Sequence, residues 1–143
     1  MLDGKSICYV SAAIKPMAQR ELEIVLEAAR PFSETNSVTG ALLHDDGSFF
    51  HYFEGPAGGV DAFYAAIKTA SWHTGIIELL CESITKRSIP KWYMGSTDVP
   101  QSSPLSLRLS EWKQLKRHID RGHDQSPSVT LLRVNLERTI LAF

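Results

Sequence analysis

The apolar positions of the first 96 residues change repeatedly between the period of a strand and the period of a helix. Short apolar or alternating segments predict five strands, at residues 6–12, 37–44, 48–55, 75–83 and 91–96. Apolar residues at helical spacing predict two helices between them, at 17–30, just after Pro16, and at 60–70. Asp45, Asp46 and Gly47 are turn residues, which predicts a hairpin between the second and third strands.

Two further helices are predicted beyond a linker at residues 97–104. The first ends at Gly122, and Ser126 caps the second, with Pro127 at its first position. Their apolar stripes consist of Leu105, Leu109, Trp112, Leu115 and Ile119, and of Val129, Leu132, Leu136 and Ile140. The order β-α-β-β-α-β predicts an α+β, ferredoxin-like sheet with one extra strand. We therefore divide the chain into a domain at 1–97 and a C-terminal helical extension at 98–143 that packs on the sheet.

The stretch SFFHYFEG, residues 48–55, predicts a strand with two aromatic faces. Its alternating residues are Phe49, His51 and Phe53 on one face, and Phe50, Tyr52 and Glu54 on the other. Two helices on one face of a sheet leave the opposite face bare. We therefore expect the two C-terminal helices to cover the face that carries Phe50 and Tyr52.

The composition is that of one ordinary globular domain. The chain has 143 residues with 43% hydrophobic residues, and 15 basic against 16 acidic side chains give a net charge of -1. This balance argues against a nucleic acid or an anionic membrane as the main partner. The sequence contains no apolar run of about 18 residues and no signal-peptide pattern. Cys8 and Cys81 lie far apart, as is typical of reduced thiols, and we expect a cytoplasmic protein.

Two clusters resemble metal ligands, but each has a simpler explanation. The HDD triplet at 44–46 is explained by the hairpin turn. The second cluster lies at a helix end and consists of His118, Asp120, His123 and Asp124. Its only pair at helical i, i+4 spacing is Asp120 with Asp124, and Gly122 interrupts the helix between them. We therefore expect a solvated helix end and no metal site.

Five motifs fall in order along the chain: ICYVSAA near the start, AAR at 28–30, VTGALL at 38–43, FFHYFEG at 49–55 and KRSIPKWYMG at 86–95. Together they resemble the BLUF family, whose members are flavin-binding sensors of blue light. The resemblance covers residues 6–96. It implies FAD as the cofactor, with the flavin ring between the two helices on one face of the sheet.

The resemblance also implies roles for individual side chains. In that family a tyrosine on the first strand donates an electron and a proton to excited flavin, and a glutamine on the third strand bridges the two. These photochemical positions correspond to Tyr9 and His51 in this chain. Flavin-binding positions correspond to Val25, Arg30, Ser33, His73, Trp92 and Met94. On the residues alone, Tyr9, His51, Trp92 and Met94 are also explained as packed core side chains.

Several positions depart from the family pattern. His51 replaces the glutamine, and an imidazole cannot exchange donor for acceptor as an amide can. Ser33 replaces an asparagine that holds the flavin carbonyl edge, and Ala70 and Trp72 replace a charged pair before His73. We therefore expect flavin binding and the photocycle to be impaired.

Two other classes of function share this order of elements. Enzymes of the acylphosphatase type need a glycine-rich anion loop with an arginine after the first strand, but SAAIKPMAQ has neither. RNA-binding modules expose aromatic residues such as Phe50 and Tyr52, which we expect to be covered here. We expect a sensory domain that is not an enzyme, has no output domain of its own, and signals through a protein partner or a homo-oligomer. The alternative is a flavin-free relative that acts as a protein-interaction module.

Overall fold

A computed structural model of the chain describes residues 2–96, 102–103, 109–122 and 124–141. Within these residues lie five strands and four helices. They are β1 (Gly4–Ala13), α1 (Gln19–Thr35), β2 (Thr39–Asp45), β3 (Ser48–Pro56), α2 (Ala57–Thr69), β4 (His73–Ile84), β5 (Trp92–Ser96), α3 (Leu109–Gly122) and α4 (Pro127–Leu141). The predicted element order is therefore confirmed. Most of the predicted linker, together with Leu105 and the side chains of Leu109 and Ile140, lies outside the described residues.

The five strands form one sheet in the order β4-β1-β3-β2-β5. The first four strands pair antiparallel in the ferredoxin-like arrangement, and β5 is added parallel to β2. The hairpin between β2 and β3 turns at Asp46 and Gly47, whose φ angles of 48° and 75° are typical of a type I′ turn. The predicted hairpin and fold class are thus confirmed.

The predicted bounds of α1 were wrong at both ends. The helix begins at Gln19, three residues beyond Pro16, and it continues through Pro31 to Thr35. Buried residues on both sides of the proline, Ala29 and Ser33, hold the helix against the sheet. Tertiary packing therefore outweighs the local preference of proline to end a helix.

The start of α2 was predicted at residue 60, but the helix begins at Ala57 and includes Gly58 and Gly59. Both lie in the first turn of the helix. A Cβ atom on Gly59 would come within 2.1 Å of the Asn36 carbonyl oxygen. The second glycine therefore allows α2 to begin against the C-terminal end of α1.

The sheet separates two hydrophobic cores. Helices α1 and α2 pack on the face that carries Tyr9, Phe49 and Phe53. Helices α3 and α4 pack on the opposite face, where Phe50 and Tyr52 lie. The helical residues of this second core are Trp112, Leu115, Ile119, Val129, Leu132 and Leu136. The prediction that the C-terminal helices cover this aromatic face is confirmed.

The loop between β4 and β5 is attached to the sheet by the buried carboxylate of Glu54. The backbone N–H groups of Ser88 and Ile89 both donate to its Oε1 at 2.6 Å, and the Tyr52 hydroxyl donates to its Oε2 at 2.6 Å. Burial raises the pKa of the Glu54 carboxyl, and these three donors oppose the shift. The Ser88 hydroxyl donates in turn to Asp124, just before α4. Within the described part of the chain, no helix is both long and apolar enough to cross a bilayer.

Candidate functional site

Tyr9 and His51 form a buried hydrogen bond on the sheet face below α1 and α2. They are directly opposite each other on β1 and β3, and the Tyr9 hydroxyl oxygen lies 3.0 Å from His51 Nδ1. Both side chains are completely buried. The two photochemical candidates predicted from the sequence are therefore in direct contact.

The hydrogen-bond partners determine the tautomer of His51. Burial lowers the pKa of the His51 imidazole to about 3, with His73 as the second cause, so the ring is neutral near pH 7. If the Tyr9 hydroxyl donates to Nδ1, only the Nε2–H of His51 remains without a partner. The reverse direction would leave both the Tyr9 proton and the bare Nε2 unpaired. The first arrangement loses fewer hydrogen bonds, so Nε2 carries the proton.

Trp92 presents a second buried donor without a partner. Its indole Nε1 and His51 Nε2 are both buried and lack a hydrogen-bond acceptor. The two rings are neighbours, with centroids 5.2 Å apart and planes at 78°. Gly40 lies opposite Trp92 in the sheet, and a Cβ atom on it would come within 2.1 Å of the Tyr52 carbonyl oxygen. Buried polar groups are normally paired, so two unpaired donors side by side are a feature typical of a ligand site.

His73 fixes the start of β4 against α2. Its Nε2–H donates to the Ile67 carbonyl oxygen at 2.8 Å, so in the neutral ring Nδ1 accepts from the Ser11 hydroxyl at 2.7 Å. Burial lowers the pKa of this imidazole, and the bond to Ile67 opposes the shift. Tyr9 lies beside His73, with ring centroids 6.0 Å apart. His73 therefore belongs to the same cluster, with both nitrogens already bonded to protein groups.

The Ser33 side chain is hydrogen-bonded within its own helix. It lies within the last turns of α1, and its buried hydroxyl donates to the Arg30 carbonyl oxygen at 2.7 Å. Arg30 is half-exposed, and its Nε lies 3.5 Å from the Glu27 carboxylate. Both residues line a groove of about 460 Å³ at the C-terminal end of α1, which Trp92 also lines. Arg30 and Ser33 thus belong to the groove at the end of α1, and Trp92 connects that groove to His51.

Val25 and Met94 are partly buried against the core on the helix side of the sheet. Met94, Leu42, His51 and Tyr9 form one row across four neighbouring strands. Val25 instead lines an apolar groove of about 270 Å³ between α1 and α2. Its other lining residues are Ala28, Ala29, Phe32, Phe63, Ala66, Ile67, Thr69, Ala70 and Trp72.

Phe63 is the residue of this region that the sequence did not single out as functional. It lines the groove and is fully buried, and its ring centroid lies 5.8 Å from His51 and 5.7 Å from Trp92. The periodicity of α2 indicated only that Phe63 is a core residue. Its position against the rings of His51 and Trp92 depends on how the helix packs on the sheet.

Among the described residues, no group of three or more His, Cys, Asp or Glu side chains is placed to hold a metal ion. His44 Nδ1 lies 2.8 Å from the Ser96 hydroxyl. Asp120 is paired with Lys116 and Arg133, and Asp124 accepts from Ser88. His123 lies outside the described residues.

The family model for sensors of blue light using FAD, called BLUF, matches residues 5–95. This match covers more than half of the chain. The chain belongs to the BLUF family. The resemblance stated from five sequence motifs is therefore confirmed, and flavin is the cofactor that the family uses.

The relatives place this domain in both short and long proteins. The chain is 29% identical over 92 residues to a photoactivated adenylate cyclase subunit beta of Euglena gracilis, which covers 64% of this chain but only 11% of that protein. A bacterial light-regulated adenylyl cyclase has a TM-score of 0.62 at 26% identity, covering 84% of this chain and 34% of the other. The dark-state structure of BlrB, a BLUF protein, has a TM-score of 0.62 at 21% identity. That alignment covers 99% of this chain and 97% of BlrB, and it shows a shared fold.

The residues of this BLUF domain only partly fit a flavin. His51 and Trp92 supply donors for a ring with acceptor atoms on its edge, and the groove between α1 and α2 is apolar. However, neither donor lines that groove, and Phe63, which does line it, packs against the rings of both His51 and Trp92. No charged side chain lines the groove either, so none is placed there to bind the diphosphate of FAD. As packed here, the groove between α1 and α2 lacks the charged side chain and the exposed donors that a bound FAD would use.

Proposed function

We propose that this chain is a sensory or regulatory BLUF domain that signals through protein–protein contacts, with weakened FAD binding and without the usual photocycle. The hydrogen bond between Tyr9 and His51 is the observation that carries the proposal. The chain retains the tyrosine of the family pattern, but its hydrogen-bond partner is an imidazole, whose donor and acceptor nitrogens cannot exchange roles at one position.

The chemistry of the imidazole explains the loss of the photocycle. In the assigned tautomer, His51 accepts from Tyr9 at Nδ1 and offers a donor at Nε2, on the other side of the ring. A glutamine amide could rotate and exchange its donor for its acceptor at one position. His51 cannot make that exchange without breaking its bond to Tyr9. Burial and the neighbouring His73 also lower the pKa of the ring, so it stays neutral near pH 7.

Several side chains weaken the binding of FAD. The Ser33 hydroxyl is already bonded within α1, and Trp72 stands at the end of the groove in place of a polar residue. Each missing hydrogen bond between protein and ligand weakens the binding free energy by roughly 0.5–1.5 kcal/mol. Each buried polar group left unpaired weakens it by about 1–3 kcal/mol. Two or three such losses would reduce the affinity by several powers of ten.

We assign the sensory site to the domain at residues 1–97, with residues 98–143 as a C-terminal helical extension packed on the sheet. Related domains in photoactivated cyclases are joined to an effector, which supports a regulatory role for this domain. The output partner is then a second copy of this chain or a separate protein.

The test is to add FAD to the purified protein, illuminate it with blue light and record the flavin absorbance. We expect no reversible red shift, because His51 cannot perform the exchange. A reversible red shift would refute the proposal. The colour of the protein as purified separates the two forms of the proposal: a yellow protein retains some FAD, and a colourless one is the flavin-free interaction module.

A further inference from the structure

The inner wall of the groove between α1 and α2 is formed by an aromatic side chain. Phe63 is completely buried, and it is the one residue that both lines this groove and makes ring contacts with His51 and Trp92 among the described residues. It also packs edge-on against Phe53, with centroids 5.1 Å apart. The phenyl ring is therefore held on one side by the sheet core and faces the groove on the other.

The two rings that Phe63 contacts carry the unpaired donors of this core. Nε2–H of His51 and Nε1–H of Trp92 are both buried and without an acceptor. A phenyl ring offers at most a weak contact to an N–H group through its face. A ligand that paired both donors would remove the cost of leaving them buried and unpaired. The arrangement is that of a binding site whose polar end is present and whose central space is filled by protein.

We propose that Phe63 occupies the position of the ligand ring and thereby decides whether the groove admits a planar ligand. The ligand class is an uncharged, flat heteroaromatic ring with hydrogen-bond acceptors along one edge, as in riboflavin. The apolar lining fits such a ring, and the lack of charged lining residues disfavours a phosphorylated tail. The inference rests on the proposed function, since it names the side chain that weakens flavin binding there.

Access to the donors then depends on the size of residue 63. In the parent chain, a ring in the groove stops at Phe63 and reaches neither His51 nor Trp92. Removing the phenyl group joins the groove to the space beside both donors. A cavity lined by apolar side chains remains available to aromatic ligands, as known engineered cavities do.

The experiment measures riboflavin binding to the parent, Phe63→Ala and Phe63→Leu by quenching of riboflavin fluorescence. Phe63→Leu is the milder change and keeps the test valid if the alanine variant unfolds. Phe50→Ala is the matched control, because it removes the same side chain from the core on the other face of the sheet. We expect both Phe63 variants to bind at least about tenfold more tightly than the parent, and the control to match the parent.

A second measurement uses NMR to follow the indole N–H resonance of Trp92, which is identified by its absence from the spectrum of Trp92→Phe. Riboflavin should shift this resonance downfield in the Phe63 variants and leave it unchanged in the parent. Equal affinities for the parent and the folded Phe63 variants, or the same downfield shift in the parent, would overturn the inference. These results differ from failure of the proposed function, which appears as a reversible red shift of FAD in the parent.

Discussion

Trp72 lies flat on the imidazole of His73, with ring centroids 4.0 Å apart and planes inclined by 16°. The indole also meets Phe49 edge-on at 4.8 Å, so it is held between two rings at one end of the groove. His73 cannot move away, because its two nitrogens are bonded to Ser11 and Ile67. The indole therefore acts as a fixed apolar wall at a position where the family resemblance implies a charged residue.

The combined substitutions His51→Gln, Ser33→Asn and Trp72→Arg should strengthen FAD binding. They restore an exchangeable amide, a second amide at the end of α1 and a cation at the groove. We expect an affinity gain of about ten- to a hundredfold over the parent, measured by titration of FAD fluorescence. Adding Phe63→Leu should increase the gain further.

Trp72→Gln provides the control for the charge. It removes the bulk of the indole without adding a cation. If the guanidinium binds the diphosphate, Trp72→Arg should favour FAD over riboflavin and Trp72→Gln should not. Unchanged FAD affinity in the triple variant, together with a gain when Phe63→Leu is added, would identify Phe63 as the dominant obstacle.

The Glu54 carboxylate is expected to be a major determinant of stability. Glu54→Ala leaves the two backbone donors of Ser88 and Ile89 and the Tyr52 hydroxyl without their acceptor. We expect it to lower the free energy of unfolding by about 3 kcal/mol or more, measured by urea titration. Glu54→Gln retains an acceptor oxygen and should lower the free energy of unfolding clearly less than Glu54→Ala does.

The surface variant Glu21→Ala is the control for this experiment. Glu21 pairs with Lys15 at 3.2 Å, and both side chains are largely exposed. Removing such a pair should change stability by less than about 1 kcal/mol. An equal loss for Glu54→Ala and Glu21→Ala would contradict the role assigned to the buried carboxylate.

The sequence predicted the elements and the two sheet faces well, because alternation in β3 and apolar stripes in the helices follow directly from geometry. The predicted helix bounds were wrong at Pro31 and Gly59, where packing between elements outweighed the local preference of the residue. The motifs identified Tyr9 and His51 as candidates, and the structure places them opposite each other on two paired strands. They could not reveal the unpaired nitrogens of His51 and Trp92 or the contact of Phe63 with both rings. Such features depend on side-chain packing across elements, which no periodicity encodes.

Removing the C-terminal helices should expose the second core. Truncation after residue 97 uncovers Phe50 and Tyr52, which α3 and α4 bury. A contiguous apolar patch of this kind causes association, so we expect aggregates in size-exclusion chromatography with light scattering. A soluble, monomeric truncated protein would contradict this prediction.

Two substitutions in α4 test the same packing in the full chain. Leu132 is fully buried against the sheet, whereas Val134 is 47% exposed on the same helix. Leu132→Glu should destabilise the protein strongly, because it buries a charge without a partner. Val134→Glu should leave stability nearly unchanged. Similar effects of the two changes would mean that α4 does not bury Leu132 in solution.

The low pKa of His51 predicts how stability depends on pH. The imidazole titrates at about 3 in the folded chain, against 6.5 as the reference value for an exposed ring. Between these values the unfolded state binds a proton that the folded state does not, so stability rises with pH and is lost as pH falls below about 6.5.

Each pH unit in this window corresponds to about 1.4 kcal/mol of unfolding free energy. From pH 7 to pH 5 the parent should therefore lose about 2 kcal/mol more than His51→Gln, which cannot titrate. His73 is present in both proteins, so its own titration cancels in the difference except for its coupling to His51. Urea unfolding at a series of pH values measures that difference, and identical pH dependence in the two proteins would show that His51 is not buried as a neutral ring.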